Sequence, residues 1–362
     1  MGQTLRLHMK AIRIAAWYPI PRGKKCIRFM KSSITIVIVL LSAFPAQAAT
    51  KTFSVASDGS GDFKTPQEAV AAAPENTADR TVIRIKPGTY EGQMIVPKDK
   101  PNFGFVGEDA ATTLLTWPHN VKDPIAPGAD GFNPGVQILG DGFTAENLTF
   151  QNTSGDHGQA LALRVDADRA VFKNCRIVGW QDTLMVNSGR QYFQNCYIAG
   201  RVDFIYGSAT AVFDRCEIHS RNGGHVTAAS TPQDHLYGFV FINCQLTGDN
   251  IPWTPPEGDT TTSEPPKKPN KFADLGRPWR PYASVAYIHC QMDDHIKPEG
   301  WNNWGRAENE KTARYAEYQS TGPGANPEKR AAWTKQLTDA EAAEYTIEKI
   351  LGGSDHWNPV MQ

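Results

Sequence analysis

The sequence predicts an all-β protein with a single domain, built as a parallel β-helix with short capping helices. Segment 172–184, FKNCRIVGWQDTL, recurs at an offset of 21 residues as FQNCYIAGRVDFI at 193–205, and related segments begin at 213, 241 and 287. Self-similarity at periods of 20 to 50 residues indicates a solenoid or propeller. The units alternate apolar and polar residues and are rich in β-branched and aromatic types, which predicts strands. Little helical periodicity separates them, so we expect the strands to stack directly as rungs.

Two helices and one long loop are predicted around these rungs. Thr65 and Glu68 form a capping box with proline at the first helical position, opening TPQEAVAAAP, and Thr338 and Glu341 form another, opening DAEAAEYTIEKIL. Solenoids need covered ends, so both helices are read as end pieces, and the first is expected to cover the N-terminal rung. The segment 249–274 contains six prolines and few apolar residues, which predicts a long surface loop.

The first 48 residues have the pattern of a secretory signal peptide. They hold eight of the 37 Lys and Arg residues and none of the 38 Asp and Glu residues, and they contain the apolar run ITIVIVLLSAF at 34–44. Ala46-Gln47-Ala48 then matches a small-x-small cleavage pattern. Met30 is an alternative start. The apolar run is too short for a comfortable transmembrane helix, so the mature domain, 49–362, is expected to be secreted or periplasmic and free of the membrane.

Composition narrows the function classes. After cleavage the chain has nine more acidic than basic side chains, which disfavours nucleic acid as a partner. An acidic polysaccharide would have to be met by local basic or neutral groups. There is no G-x-S-x-G elbow for a serine esterase, and the histidine spacing matches no metal site. Five of the six cysteines remain, an odd number that leaves at least one without an intramolecular partner.

An aspartate occupies the same position in both copies of the clearest repeat. Asp182 and Asp203 would therefore sit side by side on one face, at the strand spacing of about 4.8 Å. Two carboxylates at that distance cannot both ionise cheaply, so one pKa rises and the other falls, which prepares an acid and a nucleophile or base. The alternative is a structural aspartate ladder at a turn, satisfied by backbone N–H groups.

The same stacking places Cys175, Cys196 and Cys216 in one column. Their expected Cα spacing suits a disulfide between any two neighbours. They could equally pack as three buried thiols that behave as small hydrophobic side chains.

Tryptophans supply candidate sugar platforms, although each alone is more typical of a core. The candidates are Trp180, Trp279, Trp301 and Trp304. Trp279 differs from the others because it lies in LGRPWRPY, a polar, turn-forming stretch that also carries Arg277 and Arg280. An arginine and a tryptophan at the end of a strand suit a carboxylate clamp and a sugar platform.

Taken together, the motifs resemble those of the pectin methylesterases (pectinesterases). The matching motifs are GSGDFKTPQEA (59–69), GTYEG (88–92), QALAL (159–163), GWQDTL (179–184), GRVDFIYGSA (200–209) and LGRPW (275–279). The segment QLTDAEAAEYT near the C-terminus is similar to bacterial members. The resemblance implies a right-handed parallel β-helix enzyme that removes methyl groups from the methyl-esterified galacturonate units of pectin and releases methanol.

The resemblance also implies residue roles. Asp203 would be the nucleophile and Asp182 the general acid and then base. The oxyanion hole would be formed by Gln159 and Gln181. Arg277 would pair with Asp203 and help to hold it ionised.

Further roles implied by the resemblance concern substrate and cross-links. Trp279 would stack on a galacturonate ring, and Phe204 and Gln159 would also contact the substrate. The family's disulfide falls on Cys196 and Cys216. No cofactor or metal is implied; the expected partner is methylated homogalacturonan, and the expected state is a monomer.

Arg201, Met185 and Tyr206 depart from the family pattern. Arg201 stands where a small residue or threonine is common, and Met185 and Tyr206 replace a tyrosine and a phenylalanine. Arg201 could meet a carboxylate of the sugar chain or bind a loop carboxylate of the protein itself.

Two rival functions stay open. The first rival is a β-helix glycoside hydrolase on pectin, because carboxylates about 5 Å apart also suit a retaining glycosidase. The second is a non-catalytic carbohydrate-binding β-helix.

Overall fold

The computed structural model describes residues 49–123, 131–255 and 267–361. The predicted signal peptide, 1–48, and the middle of the predicted proline-rich loop lie outside these described residues. Within the described ranges no helix is both long and apolar enough to cross a membrane.

The described residues form 24 strands and three α-helices. The first twelve strands are β1 (Thr50–Val55), β2 (Arg80–Ile85), β3 (Gly88–Glu91), β4 (Met94–Val96), β5 (Phe103–Gly107), β6 (Thr113–Trp117), β7 (Val136–Ile138), β8 (Thr144–Glu146), β9 (Thr149–Asn152), β10 (Leu163–Val165), β11 (Ala170–Lys173) and β12 (Arg176–Val178). The remaining strands are β13 (Leu184–Val186), β14 (Arg190–Gln194), β15 (Tyr197–Gly207), β16 (Thr210–Asp214), β17 (Glu217–Ala229), β18 (Phe239–Ile242), β19 (Gln245–Gly248), β20 (Ala273–Gly276), β21 (Ser284–Ile288), β22 (Gln291–Met292), β23 (Arg314–Tyr318) and β24 (Lys335–Gln336). The helices are α1 (Pro66–Ala72), α2 (Asp339–Ala342) and α3 (Ile347–Leu351).

The strands pair in parallel and build two long sheets. Sheet A has eleven strands in the order β1-β2-β5-β8-β11-β14-β16-β18-β21-β23-β24. Sheet B has thirteen, and its long strands β15 and β17 bend, so that each pairs with short strands on both sides of the bend. Each rung thus contributes one strand to sheet A and then a bent stretch to sheet B. The predicted all-β parallel helix is confirmed.

The repeated phenylalanines form a ladder through the interior. Phe172, Phe193, Phe213, Phe241 and Tyr287 are aligned on successive strands of sheet A. Neighbouring ring centroids lie 4.5 to 4.8 Å apart with nearly parallel planes. The rings are fully buried, so the aromatic residue repeated in the sequence corresponds to one column of stacked rings in the core.

The asparagine in each repeat makes the corner between the two sheets. Asn174, Asn195 and Asn243 have φ values of +52°, +52° and +55°. Asparagine tolerates this left-handed region because its short side chain adds little steric cost there. Arg215 and His289 occupy the same corner on other rungs with similar φ values. The next residue on each of these rungs is a buried cysteine, which explains the recurring Asn-Cys pair.

The cysteine column holds free thiols in this structure, in which the expected Cys196–Cys216 disulfide is not formed. All five described cysteines are unpaired and buried. The Cys196 thiol donates to the Phe172 carbonyl at 3.5 Å, and the Cys216 thiol donates to the Phe193 carbonyl at 3.4 Å. The Cα spacing that in-register stacking gives therefore does not by itself make a disulfide.

The N-terminal helix forms as predicted. The Thr65 hydroxyl accepts from the Glu68 backbone N–H at 3.3 Å, and the Glu68 carboxylate accepts from the Thr65 N–H at 3.1 Å. Helix α1 packs against β1, β2 and β4, so it covers the first rungs.

The C-terminal segment differs from its prediction as one end-capping helix. Thr346 starts a new N-cap and divides the segment into α2 and α3. Helix α3 packs on β16, and Leu351 and Trp357 belong to the apolar cluster on the outer face of sheet A. It therefore covers the flank of the β-helix, because this face of sheet A presents apolar side chains such as Val212 and Val240.

The predicted loop 249–274 ends earlier than expected. Ala273 and Asp274 already belong to β20, where they pair with Gly224 and His225 of β17. Pairing with a preformed strand overrides the local proline-rich composition, so the insert between β19 and β20 spans 249–272.

We expect five titratable thiols in residues 49–362, since all five of these cysteines are free in the structure. Unfolding residues 49–362 in denaturant with iodoacetamide and no reductant should add five carbamidomethyl groups, measured by intact mass. The same chain reduced beforehand serves as the control and should give the same mass. Only three groups without reductant, with a Cys196–Cys216 peptide on digestion, would show that a disulfide does form.

Candidate active site

The two repeated aspartates lie at the bend of sheet B on adjacent rungs. Gly179 and Gly200 each lie three residues before an aspartate, at the bend of their rung. A Cβ atom at Gly200 would lie 2.2 Å from the Cβ of Phe204, so the bend requires glycine. Asp182 and Asp203 then adopt φ values of +62° and +52°, which aspartate tolerates. The predicted stacking on one face is what the structure shows.

Asp203 is bound by a bidentate arginine. Arg277 Nε donates to Oδ1 at 2.8 Å and Nη2 donates to Oδ2 at 2.7 Å. The guanidinium also lies over the ring of Trp304, 3.8 Å from its centroid. Arg277 is placed by its backbone N–H, which donates to the Thr227 carbonyl at 2.9 Å and so extends the pairing of β20 with β17. Sequence reasoning did not assign this support to Trp304, because no motif links the two residues.

Asp182 has the opposite environment. Its burial, and next the charge of Asp203, raise the pKa of Asp182 to about 7. Hydrogen bonds from Gln159 and Gln181 and the positive charge of Arg277 act in the opposite direction and are outweighed. Near neutral pH this carboxyl therefore carries a proton in about half of the molecules. An arginine-bound carboxylate beside a protonated carboxyl is the arrangement expected of a nucleophile with a general acid.

The two predicted oxyanion-hole residues lie next to each other. Gln159 and Gln181 form an isolated parallel bridge on adjacent rungs, and the Ala160 N–H donates to the Gln181 carbonyl at 3.0 Å. Gln159 Nε2 donates to Asp182 Oδ2 at 2.8 Å. Both amides thus lie at the bend of sheet B, and both hydrogen bond with Asp182.

An apolar surface beside the pair carries Trp279. Met185, Tyr206 and Ala228 are aligned on β13, β15 and β17 and cluster with Leu161. Trp279 packs against this cluster and meets the ring of Tyr206 edge-on, with centroids 5.9 Å apart. Met185 and Tyr206, two of the departures from the family pattern, therefore form the floor beside Trp279.

Several sequence-based candidates lie elsewhere. Phe204 has no exposed surface, so its expected contact with substrate is contradicted; it packs in the core behind the bend. Trp301 is buried and its Nε1 donates to Glu317 at 3.0 Å. Trp180 lies beneath Arg221, whose guanidinium carbon is 3.9 Å from the ring centroid.

Arg201 binds a loop carboxylate of the protein, which is one of the two roles predicted for it. Its guanidinium pairs with Asp156 at 3.3 Å, and its Nε donates to the Asn222 carbonyl at 3.4 Å. Burial raises the pKa of Asp156, and the charge of Arg201 is the largest influence in the other direction. Asp156 carried no signal in the sequence, because its partner lies 45 residues away.

Comparison with known proteins identifies the family. The family model for pectinesterase matches residues 52–354. The chain belongs to the pectinesterase family. It is 39% identical over 308 residues to pectinesterase 31 of Arabidopsis thaliana, covering 82% of this chain and 91% of that protein. It is 36% identical over 340 residues to putative pectinesterase 11 of the same plant, covering 91% and 88%.

Solved pectin methylesterases share the fold. The enzyme from carrot superposes with a TM-score of 0.73 at 39% identity, covering 84% of this chain and 93% of that one. The enzyme from Erwinia chrysanthemi gives a TM-score of 0.69 at 30% identity, covering 87% and 99%. The fold is a right-handed parallel β-helix, and the protein is a carboxylic ester hydrolase that demethylates pectin. These curated relatives are plant proteins, so they lend no support to a bacterial subtype.

The closely spaced carboxyl groups of Asp182 and Asp203 should make this pectinesterase less stable at pH 8 than at pH 4. Folding raises the pKa of Asp182 from 3.8 to about 7. The stability that comes from its protonated carboxyl is therefore fully present below about pH 4 and is lost as the pH rises through about 7. Asp182→Asn should therefore be more stable than the parent at pH 8 by about 2 to 4 kcal/mol, measured by urea unfolding.

The gain should shrink as the pH falls from 7 to 4. Glu348→Gln, an exposed change on α3, is the control and should show no such trend. A gain for Asp182→Asn that stays constant across this range would mean that Asp182 titrates near its ordinary pKa.

Proposed function

We propose that Asp203 is the nucleophile of the demethylation and that Asp182 is its general acid and then base. The observation that carries the proposal is the stacked pair itself, in which one carboxylate is clamped by Arg277 and the other has a pKa raised to about 7. Opposite environments on adjacent rungs separate the two roles.

The first half-reaction transfers the acyl group to the enzyme. A carboxylate oxygen of Asp203 attacks the ester carbon, and the resulting oxyanion accepts hydrogen bonds from the amides of Gln159 and Gln181. The bond from carbon to methoxy oxygen then breaks, and Asp182 gives its proton to that oxygen, so that methanol leaves. Asp203 is left joined to the galacturonate as an anhydride, and Asp182 is left ionised.

The second half-reaction restores the enzyme. Ionised Asp182 takes a proton from water while the water oxygen attacks the galacturonate carbonyl carbon. The bond to Asp203 breaks, and its carboxylate returns to Arg277. Asp182 again carries its proton, and the product carboxylic acid departs and loses its own proton to the solvent as galacturonate.

Substrate contacts beyond the reacting ester are assigned to Trp279. Its half-buried ring beside an apolar floor suits stacking on a galacturonate ring of methylated homogalacturonan, and Gln159 would lie against the ester. A related solved structure is described as a pectin methylesterase in complex with a hexasaccharide, which supports an oligosaccharide-length cleft. We further propose a monomer, secreted or periplasmic after removal of 1–48. The bacterial subtype rests on QLTDAEAAEYT alone.

Asp203→Asn should abolish methanol release from methylated pectin while leaving the fold intact. The loss in kcat should be about a thousandfold or more, because a carboxamide at position 203 cannot attack the ester to form the anhydride. The parent and Glu348→Gln should release methanol without creating new reducing ends. Retention of more than a few per cent of the parent rate by a correctly folded variant would refute the nucleophile assignment, and new reducing ends would favour a glycoside hydrolase.

The pH dependence should report Asp182. The first half-reaction needs its proton, so kcat/KM should fall about tenfold per pH unit above a midpoint near 7, where the free enzyme loses that proton. Initial rates at low substrate from pH 5 to 9 would measure this limb, after a check that the protein stays folded throughout. A flat profile to pH 9 would exclude Asp182 as the acid.

A further inference from the structure

The loop that leads into Gln159 has little rigidity of its own. Residues 153–158 connect β9 to the catalytic bend, and Gly155 and Gly158 have φ values of +93° and +153°. None of the hydrogen bonds between described residues uses the backbone of Gly155, Asp156 or His157. Glycine-rich backbone without such bonds loses much conformational entropy when it is held still. Something outside the loop must hold it.

One restraint comes from the insert between β19 and β20. The indole of Trp253 lies directly on Gly155, where a Cβ atom would come within 2.3 Å of indole Cζ2. The ring of His157 is 5.4 Å away, centroid to centroid. Only glycine at position 155 permits this approach, so the loop and the indole are shaped for each other.

The other restraint ties the same loop to the nucleophile strand. Asp156, whose side chain is 3% exposed, pairs with Arg201 of β15, two residues before Asp203. An ion pair with one partner this deeply buried is costly to disturb, because separation leaves an uncompensated charge. Trp253 lies on Gly155, the residue next to Asp156, so the two restraints act on adjacent residues of the loop.

The insert that carries Trp253 is itself anchored at both ends by Asn222. The backbone N–H of Asn222 donates to Asp249 at 3.1 Å, and its side chain donates to the Lys268 carbonyl at 3.1 Å. Its side-chain oxygen accepts from the Asn270 N–H at 2.6 Å. Asn222 is fully buried. The insert therefore leaves the rung of β19 from a fixed base and reaches back over four rungs to the loop after β9.

We propose that Trp253 is a positioning residue for pectin demethylation, which holds the loop 153–158 so that Gln159 meets the oxyanion. The inference rests on the proposed role of Gln159 in the oxyanion hole. The indole touches neither carboxylate and acts only through the loop. Displacement of a catalytic donor by about 1 Å can cost up to a hundredfold in rate, so a surface side chain in this position controls turnover without contacting the ester.

Trp253→Ala should lower kcat on methylated pectin about tenfold, with KM changed less than about twofold, because binding on the Trp279 side of the cleft is untouched. Trp253→Phe keeps an aromatic ring over Gly155 and should recover most of the rate. Ile251→Ala, an exposed change in the same segment, should match the parent. Circular dichroism and the thermal midpoint should be alike in all variants.

A double-mutant cycle separates this inference from the proposed function. Gln159→Ala alone should lower kcat about a hundredfold or more, and adding Trp253→Ala should then cost less than about twofold. If Gln159→Ala retains full activity, the proposed oxyanion role fails. If Gln159→Ala is impaired as expected but Trp253→Ala is neutral, or the two losses multiply fully, the oxyanion role stands and the positioning role of Trp253 is wrong.

Discussion

In-register stacking of parallel rungs is the constraint on which this pectinesterase depends. Because each rung repeats the one before at about 4.8 Å, any residue type placed at one position becomes a column. Phenylalanine at the interior position becomes a ladder of stacked rings, and asparagine at the corner becomes a line of left-handed turns. The active site is the same rule applied to aspartate, at the bend of sheet B.

Two carboxylates stacked on adjacent rungs are unfavourable for folding, and neighbouring side chains offset part of that cost. Arg277 offsets the charge of Asp203, and the Arg277 guanidinium stacks on the ring of Trp304. Asp182 receives no such cation of its own, so burial and its neighbour raise its pKa. The reactivity proposed for the pair is therefore a direct result of placing like groups one rung apart with only one counter-ion.

Loops next to the bend place residues of the site that the regular rungs do not place. The regular rungs place Asp182, Asp203 and Gln181, but Gln159 follows an irregular loop with two glycines. That loop is contacted by Trp253 of a distant insert and is tied by an ion pair to β15, the strand of Asp203. With the roles proposed above, substitutions at Trp253 would change turnover without changing a catalytic side chain.

The sequence by itself determined the periodic part of this protein. The 21-residue repeat predicted the parallel β-helix, the stacked aspartates and the cysteine column, because a period in sequence maps directly onto a period in space. The capping box at Thr65 was equally readable, since its hydrogen bonds join residues three apart. Resemblance to the pectinesterases supplied the roles proposed for Gln159, Gln181, Arg277 and Trp279. The structure brings all four residues to the bend or its adjoining floor.

Only the tertiary structure decided the features that depend on side-chain direction and on contacts distant in sequence. Phe204 lies in the core close to Gly200, and Cys196 and Cys216 are free thiols. The partners of Arg201 and Arg277, Asp156 and Trp304, occupy loops with no periodic relation to them. A repeat specifies which residues stack, but the direction of each side chain and the path of each loop are set by packing, which no spacing along the chain encodes.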